Sequence, residues 1–286
     1  MLKESILPPA LIGLLILAPT AFGHGFSGKR FFPATLNIED SFVAPELDFL
    51  FTHNREDGAY ASDLQAEFAK PLTDDFQLSI GADYAHLDPQ FAPPVKGFGN
   101  FDVGAKYQVF INGASESALA VGVEAEIGGT GNATIVGPES HSVVSPAVYY
   151  SKGFGNLSTG WLRPFAITAQ LAPSFPVNSS EPRTLEWGFT VQYNLPYLES
   201  FVKDTGMPAP FRNMIPIIEF PMETCLEGDC RGQTTGTINP GIIWVGKVSQ
   251  LAFELVIPVN DRSGSHIGFQ LQYHLYLDDI FPSWGR

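Results

Sequence analysis

Apolar and polar residues alternate through most of this chain, and no long helical pattern interrupts them. From Phe76 onward, Phe76, Leu78, Ile80, Ala82 and Tyr84 fall on one side of an extended strand. Gln77, Ser79, Gly81, Asp83 and Ala85 fall on the other. Successive side chains of a strand point to opposite faces, so this order makes one apolar face and one small or polar face. In a soluble β protein the apolar face becomes the core. In a membrane barrel it meets lipid, and the polar face encloses the lumen.

The same reading places twelve strands near 44–53, 60–70, 76–87, 101–110, 117–127, 142–152, 161–171, 185–195, 213–222, 237–246, 250–258 and 265–277. The clearest run through Leu64 to Phe68, Phe101 to Val109, Leu119 to Ile127, Leu185 to Tyr193 and Ile267 to Leu275. Those near 142, 161, 213 and 237 are weaker. Aromatic residues sit in pairs toward strand ends: Tyr60 and Phe68, Phe76 and Tyr84, Phe101 and Tyr107, Trp187 and Tyr193, Phe269 and Tyr273. Interfacial girdles of a membrane barrel have this character. The fold class expected is therefore all-β, an antiparallel transmembrane β-barrel of about twelve strands.

The chain's start supports export. Residues 1–23, MLKESILPPALIGLLILAPTAFG, combine Lys3, a short apolar run and a small-x-small site at Ala21 and Gly23, the pattern of a cleaved signal peptide. Cleavage near Gly23 leaves residues 24–286 as a single barrel domain, with a segment near 196–212 and a tail at 278–286. After residue 24 no stretch reaches the roughly 20 apolar residues a membrane helix needs. Charged residues are 16% of the chain, below the usual quarter or so, and the formal net charge is -14. No basic cluster stands out, so nucleic-acid binding, which rests on phosphate neutralisation, is excluded. Cys225 and Cys230 flank a hydrophilic Leu-Glu-Gly-Asp and read as a disulfide at a loop tip.

With the N-terminus on the periplasmic side, the connections at 71–75, 111–116, 153–160, 196–212 and 247–249 are periplasmic. Those at 88–100, 128–141, 172–184 and 223–236 face outward. Mostly short periplasmic turns and longer outer loops are the outer-membrane pattern. Two features break it: the first outer connection is short, and 196–212 is long. Within the latter, Tyr197 to Lys203 is expected to make one or two helical turns under the barrel mouth.

The stretch KGFGNFDVGAKYQVF, from Lys96 to Phe110, resembles the "G-x-G-D-x-x-x-G-x-K-Y" strand of an outer-membrane barrel family. That family is the group named for the "MetA-pathway of phenol degradation", together with similar transporters. Here Asn100 stands in the acidic position and Asp102 follows. The segment GKRFFPATLNIED from Gly28 and the ending GFQLQYHLYLDDIFP from Gly268 resemble the start and end of such chains. The resemblance implies an outer-membrane barrel of Gram-negative bacteria that passes small molecules. It brings no catalytic residue. His266, Gly268, Leu271 and Tyr273 also resemble a barrel-assembly signal, although the chain continues past the usual C-terminal aromatic.

If the apolar face is outward, Glu46, Asp48, Asp63, Glu67, Asp83, Asp102, Glu124, Glu126, Glu186 and Glu254 point into the lumen, against few bases such as Lys106 and Arg163. An acidic, water-filled lumen favours cations. The opposing expectation is a filled barrel whose carboxylates pair with Lys, Arg, Tyr and Asn. The six His do not show metal-ligand spacing and read as ordinary solvated side chains, with His24 at the expected mature N-terminus. Ser140, His141 and Ser142 are adjacent, but strand neighbours diverge, and no nucleophile elbow, Walker loop or His-Glu-x-x-His motif occurs. The sequence calls for no cofactor and no metal. The leading reading is a channel or transporter for small solutes, cationic or aromatic, with outer-membrane lipid and the barrel-assembly machinery as partners. An occluded scaffold barrel and a membrane-embedded lipid-modifying enzyme are the alternatives.

Overall fold

A computed structural model describes residues 25–56, 59–137, 140–177 and 181–284. The expected signal peptide, its cleavage site and His24 lie outside them. Twelve strands are arranged in one meander: β1 (Glu46–Glu56), β2 (Ala59–Thr73), β3 (Phe76–Pro89), β4 (Phe101–Asn112), β5 (Ser117–Ile127), β6 (Val143–Gly153), β7 (Phe165–Pro176), β8 (Thr184–Tyr193), β9 (Met214–Cys225), β10 (Thr234–Val245), β11 (Ser249–Pro258) and β12 (Gly268–Tyr276). Each pairs antiparallel with its successor, and β12 pairs with β1 from Phe269↔His53 to Tyr276↔Glu46. The sheet is thereby closed and leaves no edge, the condition for a sheet to sit in lipid. No helix among the described residues is long and apolar enough to cross a membrane.

All twelve expected strands are present, with shifts that have local causes. The seventh begins at Phe165 rather than 161, because Gly160–Leu162 forms a 3-10 turn and Pro164 has no N–H to give a ladder. Arg163 therefore lies in a turn, donating to the Leu157 carbonyl at 2.7 Å, and does not face the lumen from a strand. The tenth strand starts earlier, at Thr234, because β9 continues to Cys225 and pairs Thr224 with Thr234. Ahead of β4, Val95–Phe98 pairs with the upper part of β3 and carries the same ladder on. The break between them is Gly99 and Asn100.

Both described chain ends lie at one mouth, here called the terminal mouth, with the connections 74–75, 113–116, 154–164, 194–213 and 246–248. The opposite, loop mouth holds 90–100, 128–142, 226–233 and 259–267. The difference in length is partial: the terminal mouth has the three tightest described turns, but also the long 194–213. That segment forms short helical turns at Leu195–Tyr197 and Leu198–Val202, where the sequence suggested them over Tyr197 to Lys203, and a further one at Phe211–Asn213. At the loop mouth, Cys225 and Cys230 are joined by a disulfide. There Arg183 clamps Glu227 at 2.6 Å and, by its hydrogen bonds, holds that carboxyl below the usual carboxylate range.

The alternation resolves with the apolar face outward. Along β8, Leu185, Trp187, Phe189, Val191 and Tyr193 face out, while Gly188, Thr190 and Gln192 are buried inside. Exposed Leu64, Ile80, Val103, Val121, Val148, Leu171, Phe189, Ile218, Phe253 and Leu271 extend the apolar surface around the barrel. A soluble monomer rarely exposes more than a few hundred Å² of contiguous apolar surface. The Phe189 ring stacks on Phe220 of β9, with centroids 4.6 Å apart. Phe189→Arg should cost about 2–4 kcal/mol if this ring meets the bilayer midplane, read by urea unfolding in liposomes. A negligible cost would count against lipid contact.

Candidate functional site

The lumen is occupied by the chain's own N-terminal segment. Residues 25–45 enter at the terminal mouth, climb to mid-barrel and return to the start of β1. A two-residue hairpin, Phe26–Ser27 with Arg30–Phe31, opens this plug. Its turn residue Gly28 has φ +64° and abuts Gly113 in the β4–β5 turn, where a Cβ would run into backbone. Ser27 Oγ donates to the carbonyls of Asn112 and Ser117 at 3.1 and 3.2 Å.

Arg30 is the plug's charged anchor. Its side chain is fully buried; Nε bonds Glu116 at 3.1 Å, one NH2 group donates to the Pro164 carbonyl at 2.8 Å, and the other reaches the Arg163 carbonyl. The guanidinium lies 3.9 Å from the centroid of the Tyr197 ring. Burial pulls its pKa below the ordinary value, and Glu116 opposes that. Glu116 has φ +48°, a left-handed backbone unusual for its type, and its carboxylate accepts from Arg30, the Tyr197 hydroxyl and the Gly155 amide. The 194–213 segment thus braces the plug through Tyr197, and Asn194 Nδ2 adds a 2.9 Å bond to the Phe31 carbonyl.

Deeper in, the plug backbone is satisfied by inward side chains of the wall. Gln250 Nε2 donates to the Ala34 carbonyl at 2.5 Å and Gln272 Nε2 to that of Thr35 at 3.1 Å. Gln170 Oε1 accepts from the Glu39 amide at 2.6 Å, and Gln77 Oε1 from the Ala44 amide at 2.9 Å. Glu219 accepts from the Leu36 amide (3.2 Å), the Asn37 amide (2.8 Å) and Asn37 Nδ2 (2.6 Å). Asn37 also reaches Glu254 at 3.3 Å and exchanges two bonds with Gln270. Lys106 is buried against the plug, bonding Glu39 and the carbonyls of Asp40 and Phe42, both at 3.2 Å. Ser41 and Ser151 hydroxyls meet at 2.9 Å.

Apolar contacts complete the fit. Leu36 packs with Leu50, Ile215, Ile217, Ile243 and Ala252, and Phe32 and Phe42 lie against Ala118 and Ala166. Gly188 leaves room for Ile38, whose Cδ1 occupies the place of a Cβ.

On the β1–β5 side the plug leaves a cavity of about 220 Å³. Glu39 and Asp40 of the plug line it, with Glu46 and Asp48 on β1, Glu67 on β2, Asp83 on β3, Asp102 on β4 and Glu124 on β5. His274 of β12 is at its edge. Contrary to a solvated reading, His274 is 2% exposed and lies 3.0 Å from Asp48 and 3.3 Å from Glu46. Glu124 accepts from the Tyr149 hydroxyl at 2.8 Å.

The carboxylates singled out in the sequence therefore separate. Glu67, Asp83, Asp102 and Glu124 share the cavity, and Asp63 lies two residues from Gln65 of its lining, beside Asp83. Glu126 stands opposite Asp102 on β5 and accepts from Asn100 Nδ2 at 2.5 Å; Asn100 also holds Ser140 and the Gly131 amide, tying a loop to the strand break. Glu186 accepts from Ser174 at 3.0 Å on the far wall. Glu254 is fully buried under the plug, and Lys106 is a plug contact. His141 pairs with Glu181 at 3.2 Å and Ser142 takes the Gly128 amide, so 140–142 do not converge.

Sequence reading missed the plug, and with it Arg30, Asn37, Glu39 and Asp40, together with Glu219 and the Gln ladder. One signal was present: β9 is apolar on both faces over Ile215, Ile217 and Ile218, as a strand covered on both sides must be.

No protein-family model matches the chain, and a search of the curated proteins finds no match. Among solved structures, an outer-membrane channel from Pseudomonas putida F1 superposes with a TM-score of 0.52 at 14% identity, over 86% of this chain and 99% of that one. The NanC porin superposes at 0.51 and 10% identity, over 80% of this chain and 98% of its own. At such identities the likeness is one of fold: a closed outer-membrane-type barrel.

Arg30→Met should strand Glu116 in a buried position. The expected cost is about 3–5 kcal/mol, measured by urea unfolding in detergent, with Arg30→Met/Glu116→Gln recovering part of it. An unchanged midpoint would remove Arg30 from the plug's support.

Proposed function

We propose that this protein is an outer-membrane channel that passes or binds small solutes and prefers cations, by a route along the acidic side of its plug. The observation that carries this reading is the placement of carboxylates from the plug and from five consecutive strands around one cavity. The basic side chains nearest to them, Lys106 and His274, are already engaged by Glu39 and by Asp48 and Glu46. Like charges lining a narrow, low-dielectric passage raise the local concentration of mobile counter-ions. The barrel fold and the outward apolar belt support an outer-membrane setting. So do the export-type start, its cleavage near Gly23, and the likeness of β12 to an assembly signal read by the barrel-assembly machinery. The KGFGNFDVGAKYQVF strand supports kinship with the "MetA-pathway of phenol degradation" group of Gram-negative bacteria. On this reading the terminal mouth is periplasmic, with 196–212 beneath it.

Planar-bilayer recordings test the proposal. The wild type should show a K⁺-over-Cl⁻ reversal potential, and Glu67→Gln/Asp83→Asn/Glu124→Gln should reduce that preference. Unchanged selectivity in the triple variant would overturn the acidic route.

A second reading, an occluded barrel, is favoured by the density of bonds to the plug. The Ser41–Ser151 contact separates the two. A Ser41→Cys/Ser151→Cys pair, once oxidised, pins the plug to β6. If conduction needs the plug to shift, oxidation should abolish current and reduction restore it. If ions pass beside a seated plug, current should persist when oxidised. Absence of current in both states would establish the occluded barrel.

A further inference from the structure

A second cavity, of about 340 Å³, lies in the terminal mouth between the plug hairpin, the 195–202 turns and the ends of β10 and β12. It is separate from the acidic cavity and opposite to it in character. Phe26 and Phe31 of the plug stand on one side, their centroids 5.2 Å apart, and Phe31 meets Tyr276 edge-on at 6.2 Å. Phe201 closes the other side against Tyr197. Phe26 and Phe201 are both nearly half exposed, whereas Tyr276 and Tyr197 beside them are buried.

Two ammonium groups border these rings. Lys29 Nζ sits 5.4 Å from the Phe201 centroid, and Lys247 comes from the β10–β11 turn. Neither has a carboxylate within ion-pair distance among the described residues. Acids outnumber bases nearly two to one in this chain, so two unpaired lysines at one cavity are notable. Asp279 also lines the cavity but has an interaction of its own. A mostly apolar pocket of a few hundred Å³ with a few polar groups at its edge is the usual form of a small-molecule site.

The geometry points to a binding site in this mouth for a small amphiphilic anion, with a ring-sized apolar body held among the plug and barrel aromatics and one anionic head held by Lys29 and Lys247. The rings supply apolar area and the lysines the charge complement. Because Phe26, Lys29 and Phe31 belong to the plug while Phe201, Lys247 and Tyr276 belong to the barrel, an occupant touches both. Binding therefore stabilises the seated plug by mass action. The acidic cavity plays no part in this, and the site stands or falls apart from the channel's ion preference.

The test uses the full mature chain in lipid nanodiscs, with 2-naphthalenesulfonate as probe and 2-methylnaphthalene as its neutral counterpart, followed by saturation-transfer NMR. Saturable sulfonate binding is expected. Lys29→Gln and Lys247→Gln should each weaken it by about tenfold, the scale of one lost charge-assisted contact. Asp279→Asn should tighten it, and Ser200→Trp, which fills the cavity from its exposed rim, should block it. Heat-modifiable migration of each variant verifies that the barrel has formed. Three results would overturn the proposal: equal binding of the neutral compound, indifference to both lysine substitutions, or undiminished binding in Ser200→Trp.

Discussion

A polypeptide threaded through a barrel carries its own backbone donors and acceptors into a space that would otherwise hold water, and each of them needs a partner. In this protein that requirement organises the lumen. Gln77, Gln170, Gln250 and Gln272 each spend a side-chain amide on a plug peptide group, and Glu219 takes two plug amides and a side chain. An inward glutamine can donate or accept without bringing charge into a narrow lumen. The polar face of the strands is thus shaped first to hold a segment of the same chain, and the acidic cavity is what that segment leaves over.

Placement of the plug decides the chemistry of the remainder. It leans on β6–β12, where Ile215, Ile217 and Ile243 receive Leu36 and where Asn37 is bound. On that wall the plug covers the carboxylates of Glu219 and Glu254, while Glu186 is held by Ser174. On the opposite wall β1–β5 keep a carboxylate at each level, and the plug adds Glu39 and Asp40. One continuous acidic lumen, as alternation alone suggests, becomes two unlike half-walls: one packed against the plug, the other lining the acidic cavity, with Gln77 and Lys106 reaching the plug from it.

The same division explains what could be read from the sequence. Strands β2, β3, β4, β5, β8 and β12 alternate cleanly because the exposed apolar belt is on one side and small or polar groups are on the other. Their period of two therefore fixed both their existence and their facing. Strands β9 and β10 carry apolar residues on both faces, so their alternation faded there. Pro164 and the 3-10 turn displaced the start of β7 for a purely local reason. The plug itself has no period, because a chain with wall on all sides has no single buried face. Residues 28–40 therefore gave a family resemblance and no structural forecast. His274 was likewise invisible: its burial depends on Glu46 and Asp48, more than two hundred residues earlier in the chain and brought alongside only when β12 closes on β1.

Closure and plugging share the same residues. The β1–β12 seam joins the first strand, to which the plug leads, with the last, whose Gln270 and Gln272 bind that plug. Until the seam forms, Asn37 lacks Gln270 as a partner, and Glu254 and Gln270 lack their cover. Until the plug enters, Glu219 and Glu254 face each other's strands without the Asn37 amides that offset their burial. A buried carboxylate without donors is among the costliest features a lumen can hold. An unplugged barrel of this sequence must therefore take water against that wall, and the seated and unseated forms differ in hydration at β9–β11 rather than in the strand ladder. Any movement of the plug in function is on this account a rehydration of Glu219 and Glu254, with the twelve-strand frame left intact.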